Sequence, residues 1–172
     1  MADKLLTLTE TNARAAYQKA SKSKREWMKE MYPDFNFERR LVERIDSYEA
    51  ACEEVGIDPL KLEDFHLFPR EDQDSIFASH QIDIIARALN GKDDSGNWWT
   101  PDYTDGTFKY WPYHIWNEEA AGGSGFSFYD CDDVYSLSVV GARHTFKLRD
   151  HAEYAGKKFE SIYNRFLKPL RS

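Results

Sequence analysis

Residues 74–115 read DSIFASHQIDIIARALNGKDDSGNWWTPDYTDGTFKYWPYHI, and the hydrophobic period changes within them. Over 74–90, Ile76, Phe77, His80, Ile84, Ile85, Ala88 and Leu89 fall on one stripe of a 3.6-residue helix, which Asn90-Gly91 stops. Beyond Trp98 the pattern alternates: residues 98–103, a turn at Asp105-Gly106, and residues 107–115 form a predicted hairpin. Pro101 and Pro112 confine those strands to edges or bulges, because proline donates no ladder hydrogen bond. A helical segment followed by an alternating one predicts α+β architecture.

Downstream, Gly122-Gly123-Ser124-Gly125 reads as a flexible hairpin connection into a third strand at 126–129. A fourth strand is predicted over 135–148, with a bulge near Val140-Gly141 where the alternation changes phase. The box Asp150-His-Ala-Glu153 opens a last helix running to about Leu167. Gly156 inside it is unfavourable by ~1 kcal/mol against Ala, which predicts close approach to the sheet.

Upstream the chain reads as capped helices. Thr9 caps a segment with Ala13, Ala16, Tyr17 and Ala20 on one face, and Ser23 to Glu26 forms a capping box before Trp27, with Pro33 as the stop. Asp46 to Glu49 opens a helix that Gly56 ends, Asp58-Pro59 starts a shorter turn, and residues 61–73 form a packed loop around Phe65 and Phe68. The expected fold is therefore N-terminal helices, one central amphipathic helix, a mostly antiparallel sheet of about four strands, and a C-terminal helix packed on that sheet. A length of 172 residues suits a single domain, with 1–45 as a basic helical part able to form a subdomain and 46–172 as the α+β core.

Composition narrows the classes of function. The chain carries 23 basic and 30 acidic residues, net −7, which opposes bulk attraction to nucleic acid or anionic membrane. The negative charge lies in residues 46–141, while 1–45 and 142–172 are basic. Two cysteines, Cys52 and Cys131, cannot build a disulfide framework or a four-cysteine zinc site. No apolar run approaches the ~20 residues of a membrane helix, and the N-terminus lacks a signal-like apolar core. A cytoplasmic protein with no membrane association is expected.

Residues 98–129 hold eleven aromatics in 32 positions, and the 107–115 strand carries aromatics on both faces, Phe108 and Tyr110 on one and Trp111 and Tyr113 on the other. Such a sheet is either covered on both sides or exposes a stacking platform. Trp98, Trp99, Tyr110, Trp111 and Tyr113 are the candidate platform, and Arg143, Lys147 and Arg149, on one face of the fourth predicted strand, are the candidate basic face. Exposed aromatics beside cations suit single-stranded nucleic acid. Exposed aromatics also suit a protein interface or self-association.

Asp130, Asp132 and Asp133 are weak candidate metal ligands, since hard cations favour clustered carboxylates but these lack EF-hand spacing. Asp93 and Asp94, near Asp102 and Asp105, form a second acidic cluster open to the same metal reading, which also lacks EF-hand spacing and reads more commonly as turn formers. Acidic neighbours make Cys131 a poor nucleophile, and His80 and His144 on apolar stripes read as core histidines. The glycines match neither the phosphate-binding nor the dinucleotide motif. With no catalytic set and no cofactor motif, the expected function is a non-enzymatic protein-interaction or structural accessory. Single-stranded nucleic-acid binding is the alternative, and a metal-dependent enzyme using the three aspartates is the third reading.

One resemblance adds to this. The ordered set 84–90 (IIARALN), 99–102 (WTPD), 110–113 (YWPY), Gly125-Phe126, 141–147 (GARHTFK) and 152–159 (AEYAGKKF) resembles a family of small uncharacterised proteins encoded by bacteriophages, prophages and genomes of gut anaerobes. The resemblance implies a phage-linked origin and assigns no activity, cofactor or site residue.

Overall fold

The computed structural model describes residues 10–93, 95–119, 125–136 and 141–168. The chain divides into two compact units, Met1–Glu43 and Arg44–Ser172.

In the first unit, α1 (Glu10–Lys19) and α2 (Lys22–Met31) precede an irregular segment, and α3 (Leu41–Arg44) is a single turn at the boundary. Ala13, Tyr17 and Phe37 make its buried centre, with Met28 and Phe35 packed against them. Tyr17 stacks on Phe37 at 4.8 Å, and its hydroxyl donates to Glu38, which also pairs with Lys29 at 3.0 Å. Ala16, expected on the inner face, is exposed. Thr9 lies outside the described residues. The box at Ser23 falls inside α2, whose cap position is Ser21, and the helix ends at Met31, short of Pro33.

The second unit is α+β. Its first helix, α4 (Tyr48–Val55), starts one residue later than its sequence box suggests, with Ser47 Oγ accepting from the Ala50 amide, and ends at Gly56 in the left-handed conformation (φ 82°). The turn expected at Asp58-Pro59 comes later, as a 3-10 turn over Leu62–Phe65. α5 (Gln73–Asn90) is buried on most sides, with Ile82, Ile85, Ala88 and Leu89 almost fully enclosed, and packs on α4, α6 and α7. Its small residues Ala78, Ala86 and Ala88 admit close neighbours.

Two strands, β1 (Lys109–Asn117) and β2 (Gly125–Val134), pair antiparallel. α6 (Arg149–Lys158) and α7 (Glu160–Leu167) follow, so the expected single C-terminal helix is two, turning at Phe159 (φ −110°). That turn lets α6 lie on β1 while α7 reaches β2. Gly156 is the close approach: a Cβ there would strike the Phe128 ring and lie 2.6 Å from Pro112 Cβ.

The sheet has two strands among the described residues, not about four. Residues 98–103 form no strand; Trp98 makes one isolated bridge with Lys92, and successive side-chain turns at Asp93, Asp102 and Asp105 bend the segment. Residues 141–148 form a 3-10 turn at Ala142–His144 and one bridge, Phe146 with Tyr110, beyond which Pro112 offers no donor. The predicted bulge at Val140 lies outside the described residues; a bulge occurs instead at Tyr113/His114, where Tyr129 is the extra residue. On the opposite edge, Asn164 and Glu160 of α7 take the backbone groups of Phe126 and Phe128 that a further strand would need. No helix among the described residues is long and apolar enough to cross a membrane.

Candidate functional site

At the C-terminal end of α5 lies a cavity of about 550 Å³. From α5 it receives Asp83, Arg87 and Asn90. Facing them are Trp98, Trp99 and Pro101, and Arg143 closes the third side. Each wall is fixed by backbone. The Trp99 amide donates to Gly91 O at 3.0 Å, just past the α5 cap, and Lys92 bridges to Trp98. Asn90 Nδ2 donates to Thr145 O (2.9 Å) while its Oδ1 accepts from the Lys147 amide (2.7 Å), which ties the Arg143 segment to the helix end.

The cavity is amphipathic. Both tryptophans are half-buried, and Lys92 Nζ sits 4.8 Å from the Trp98 ring centroid, a cation–π contact. Asp83 is held by Arg143 at 3.5 Å and approached by His144 Nε2 at 3.1 Å. The Arg87 carbonyl accepts from the Gly91 amide, while its guanidinium makes no hydrogen bond or ion pair within the described residues.

Ser79, Asp83 and His144 meet beside this cavity, a combination the sequence reading missed. Its only signal was the four-residue spacing of Ser79 and Asp83 along α5. A nucleophilic triad places hydroxyl and carboxylate on opposite ring nitrogens, so that one accepts the proton while the other orients the ring. Here Ser79 Oγ (3.4 Å) and Asp83 Oδ1 (3.1 Å) both face Nε2. One nitrogen cannot serve both roles, so the three groups do not form a proton relay in this arrangement. His144 is nearly buried and packs edge-on against Phe166 at 5.0 Å, as expected of a core histidine.

The five candidate platform residues do not share one surface. Trp98 and Trp99 line the cavity, Tyr110 is half-buried, Trp111 is buried, and Tyr113 is exposed on β1. The sheet is covered on both sides at its base and open on one side towards its tip. At the base Lys109 is fully enclosed, its ammonium bonded to Asp105 (2.6 Å) and Thr107. Further along, Pro112 and His114 face α6 and α7, while Tyr113 and Ile115 stay exposed. Tyr113 meets Tyr129 edge-to-face at 6.1 Å, and Tyr129 is 64% exposed.

Nor do the three candidate basic residues form a strand face, because no strand exists there. Arg143 sits in the 3-10 turn against Asp83, Lys147 is exposed, and Arg149 opens α6, paired with Asp130 (2.7 Å) and Glu153 (3.1 Å). Asp130, Asp132 and Asp133 do not converge. Asp130 accepts from Arg149 and the Cys131 amide, and Asp132 accepts from the Asp133 amide. Among the described residues no group of three acidic, histidine or cysteine side chains is placed to hold a metal ion. Cys131 is buried, and burial followed by the Glu153 charge pushes its thiol up to about 12, which leaves it protonated and unreactive at neutral pH. Asp93, Asp102 and Asp105 accept backbone amides within their turns, as turn formers do; Asp94 lies outside the described residues.

No protein-family model, curated protein or solved structure matches the chain.

Proposed function

We propose that this is a non-enzymatic interaction protein, an accessory that binds a protein partner through the open face of β1 and β2. The observation that carries the reading is the Tyr113–Tyr129 pair, which presents two exposed rings beside exposed Ile115. Rigid aromatics of this kind anchor protein interfaces, because they bury large area at little entropic cost. Acidic residues lie near them: Asp132 on β2 and Glu118 and Glu119 after β1 are exposed, and Asp130 is exposed but paired with Arg149. That charge repels phosphate and favours an apolar or basic protein surface. The resemblance implies a phage- or prophage-linked origin, and the partner proposed on that ground is a phage or host protein.

The test compares the chain with Tyr113→Ser/Tyr129→Ser in crosslinked capture from a bacterial extract, with light scattering and oligonucleotide titration alongside. A captured protein that disappears with the double variant, while the melting curve is unchanged, supports the reading. Identical capture by both chains overturns it. Salt-sensitive tryptophan quenching by an oligonucleotide without protein capture replaces it with the nucleic-acid reading, and concentration-dependent self-association abolished by the variant makes the partner a second copy.

A further inference from the structure

The cavity at the end of α5 is separate from the Tyr113–Tyr129 face and owes nothing to the reading above. We infer that it is a binding site for one small molecule carrying a flat ring and an anionic group, of nucleotide or aromatic-acid size. Three observations converge. Its volume of about 550 Å³ falls within the ~300–1,000 Å³ of small-ligand sites. Its apolar wall is Trp98, Trp99 and Pro101, with both indoles half-buried and so offered to a ring. Its cations outnumber its anions, because Asp83 is already met by Arg143 and His144 while the Arg87 guanidinium has no hydrogen-bond or ion-pair partner among the described residues.

The groups divide the recognition. The indoles take the ring by stacking, Arg87 and the 79%-exposed Arg143 take the negative group, and Lys92 at the rim adds positive field while holding Trp98 in place. Asn90 contributes rigidity instead of ligand contact, since its amide is spent on Thr145 and Lys147. Phosphate and carboxylate ligands share this chemistry, and two probes separate them.

The experiment is isothermal titration of the full chain with adenosine 5′-monophosphate and, separately, indole-3-acetate. Adenosine serves as the uncharged control. Saturable binding of either anion at millimolar or tighter Kd is expected, with Arg143→Ala weakening it about tenfold, the loss of one charge-assisted hydrogen bond. The nucleotide binding alone assigns phosphate, and the indole acid binding alone assigns carboxylate. Arg143 is exposed, so its variant keeps the fold, which an unchanged melting curve verifies; Arg87→Gln provides a second variant with the same expected direction. Tyr129→Ser, remote from the cavity lining, leaves the affinity unchanged. No binding of either anion, adenosine binding as tightly as its monophosphate, or full affinity in both arginine variants overturns the assignment.

Discussion

Asn164 grips the backbone of Phe126 at both ends: its Oδ1 accepts from the Phe126 amide at 2.8 Å and its Nδ2 donates to the Phe126 carbonyl at 2.6 Å. The side chain of α7 thus imitates a neighbouring strand. Glu160, one turn earlier, accepts from the Phe128 amide at 2.7 Å, so α7 seals the Phe126–Phe128 stretch of this edge. An unsealed edge invites a further strand or aggregation. Replacing Asn164 with Leu orphans a part-buried donor and acceptor, and about 2–4 kcal/mol of stability is expected to be lost in urea unfolding. Asn164→Asp keeps the acceptor but sets a carboxylate against the Phe126 carbonyl, so it recovers little.

Gly156 tests packing against propensity. In an exposed helix Gly→Ala stabilises by about 1 kcal/mol. Here the added methyl strikes the Phe128 ring and Pro112 Cβ at 2.6 Å, and overpacking of that kind is unfavourable by ~1–3 kcal/mol. Gly156→Ala is therefore expected to lower stability despite the better helix former. Combining it with Phe128→Leu, which clears the space, is expected to recover part of the loss; additive losses in the double variant would sink the steric account.

Signals confined to one segment were legible in the sequence. The stripe on α5, the Gly56 stop and the close approach at Gly156 each follow from local spacing and backbone freedom. The strand count was not legible, because alternation over 98–103 and 135–148 says nothing of who pairs with whom. Pairing was decided by distant groups: Pro112 withholding a donor, and Asn164 and Glu160 occupying the β2 edge. The cavity was half legible. Trp98, Trp99 and Arg143 stand out in the sequence, although for different surfaces, whereas Asp83 and Arg87 do not, because no local spacing links these two helix positions to the loop that lines the same cavity.

Lys109 and Asp105 form a clasp that closes the loop before β1. The ammonium is fully buried, 2.6 Å from the carboxylate, with Thr107 O and Oγ1 as further acceptors. Asp105→Asn is expected to destabilise more than Lys109→Met, since it leaves a buried charge underpaired while the latter removes the charge altogether. The Lys109 hydrogen bond, then the Thr107 amide, hold the Asp105 carboxyl down to about 2. A depressed carboxyl pKa contributes stability that is complete above its unfolded value of about 4 and lost as pH falls towards 2. Acid unfolding monitored by circular dichroism is expected to lose this component in Asp105→Asn, so a wild-type-like acid profile there would refute the clasp.

His80, His114 and His151 all have pKa values lowered by burial. His80 Nε2, His114 Nε2 and His151 Nδ1 each lack a hydrogen-bond partner, so protonation would bury an unsatisfied donor. Opposing carboxylates, Asp83 for His80, Glu160 for His114 and Asp150 for His151, soften the effect without reversing it. A base whose folded pKa is lowered binds fewer protons in the folded state. Stability is then complete above the unfolded value of about 6.5 and falls as pH drops below it. Urea unfolding is expected to give a plateau near neutrality and a decline below about pH 6.5, above the Asp105 window. His114 stacks on Tyr163 at 4.7 Å, so His114→Phe retains a ring there while removing one titrating site. Its slope against pH is expected to fall by up to one proton, about 1.4 kcal/mol per pH unit; an unchanged slope would place the acid sensitivity in other groups.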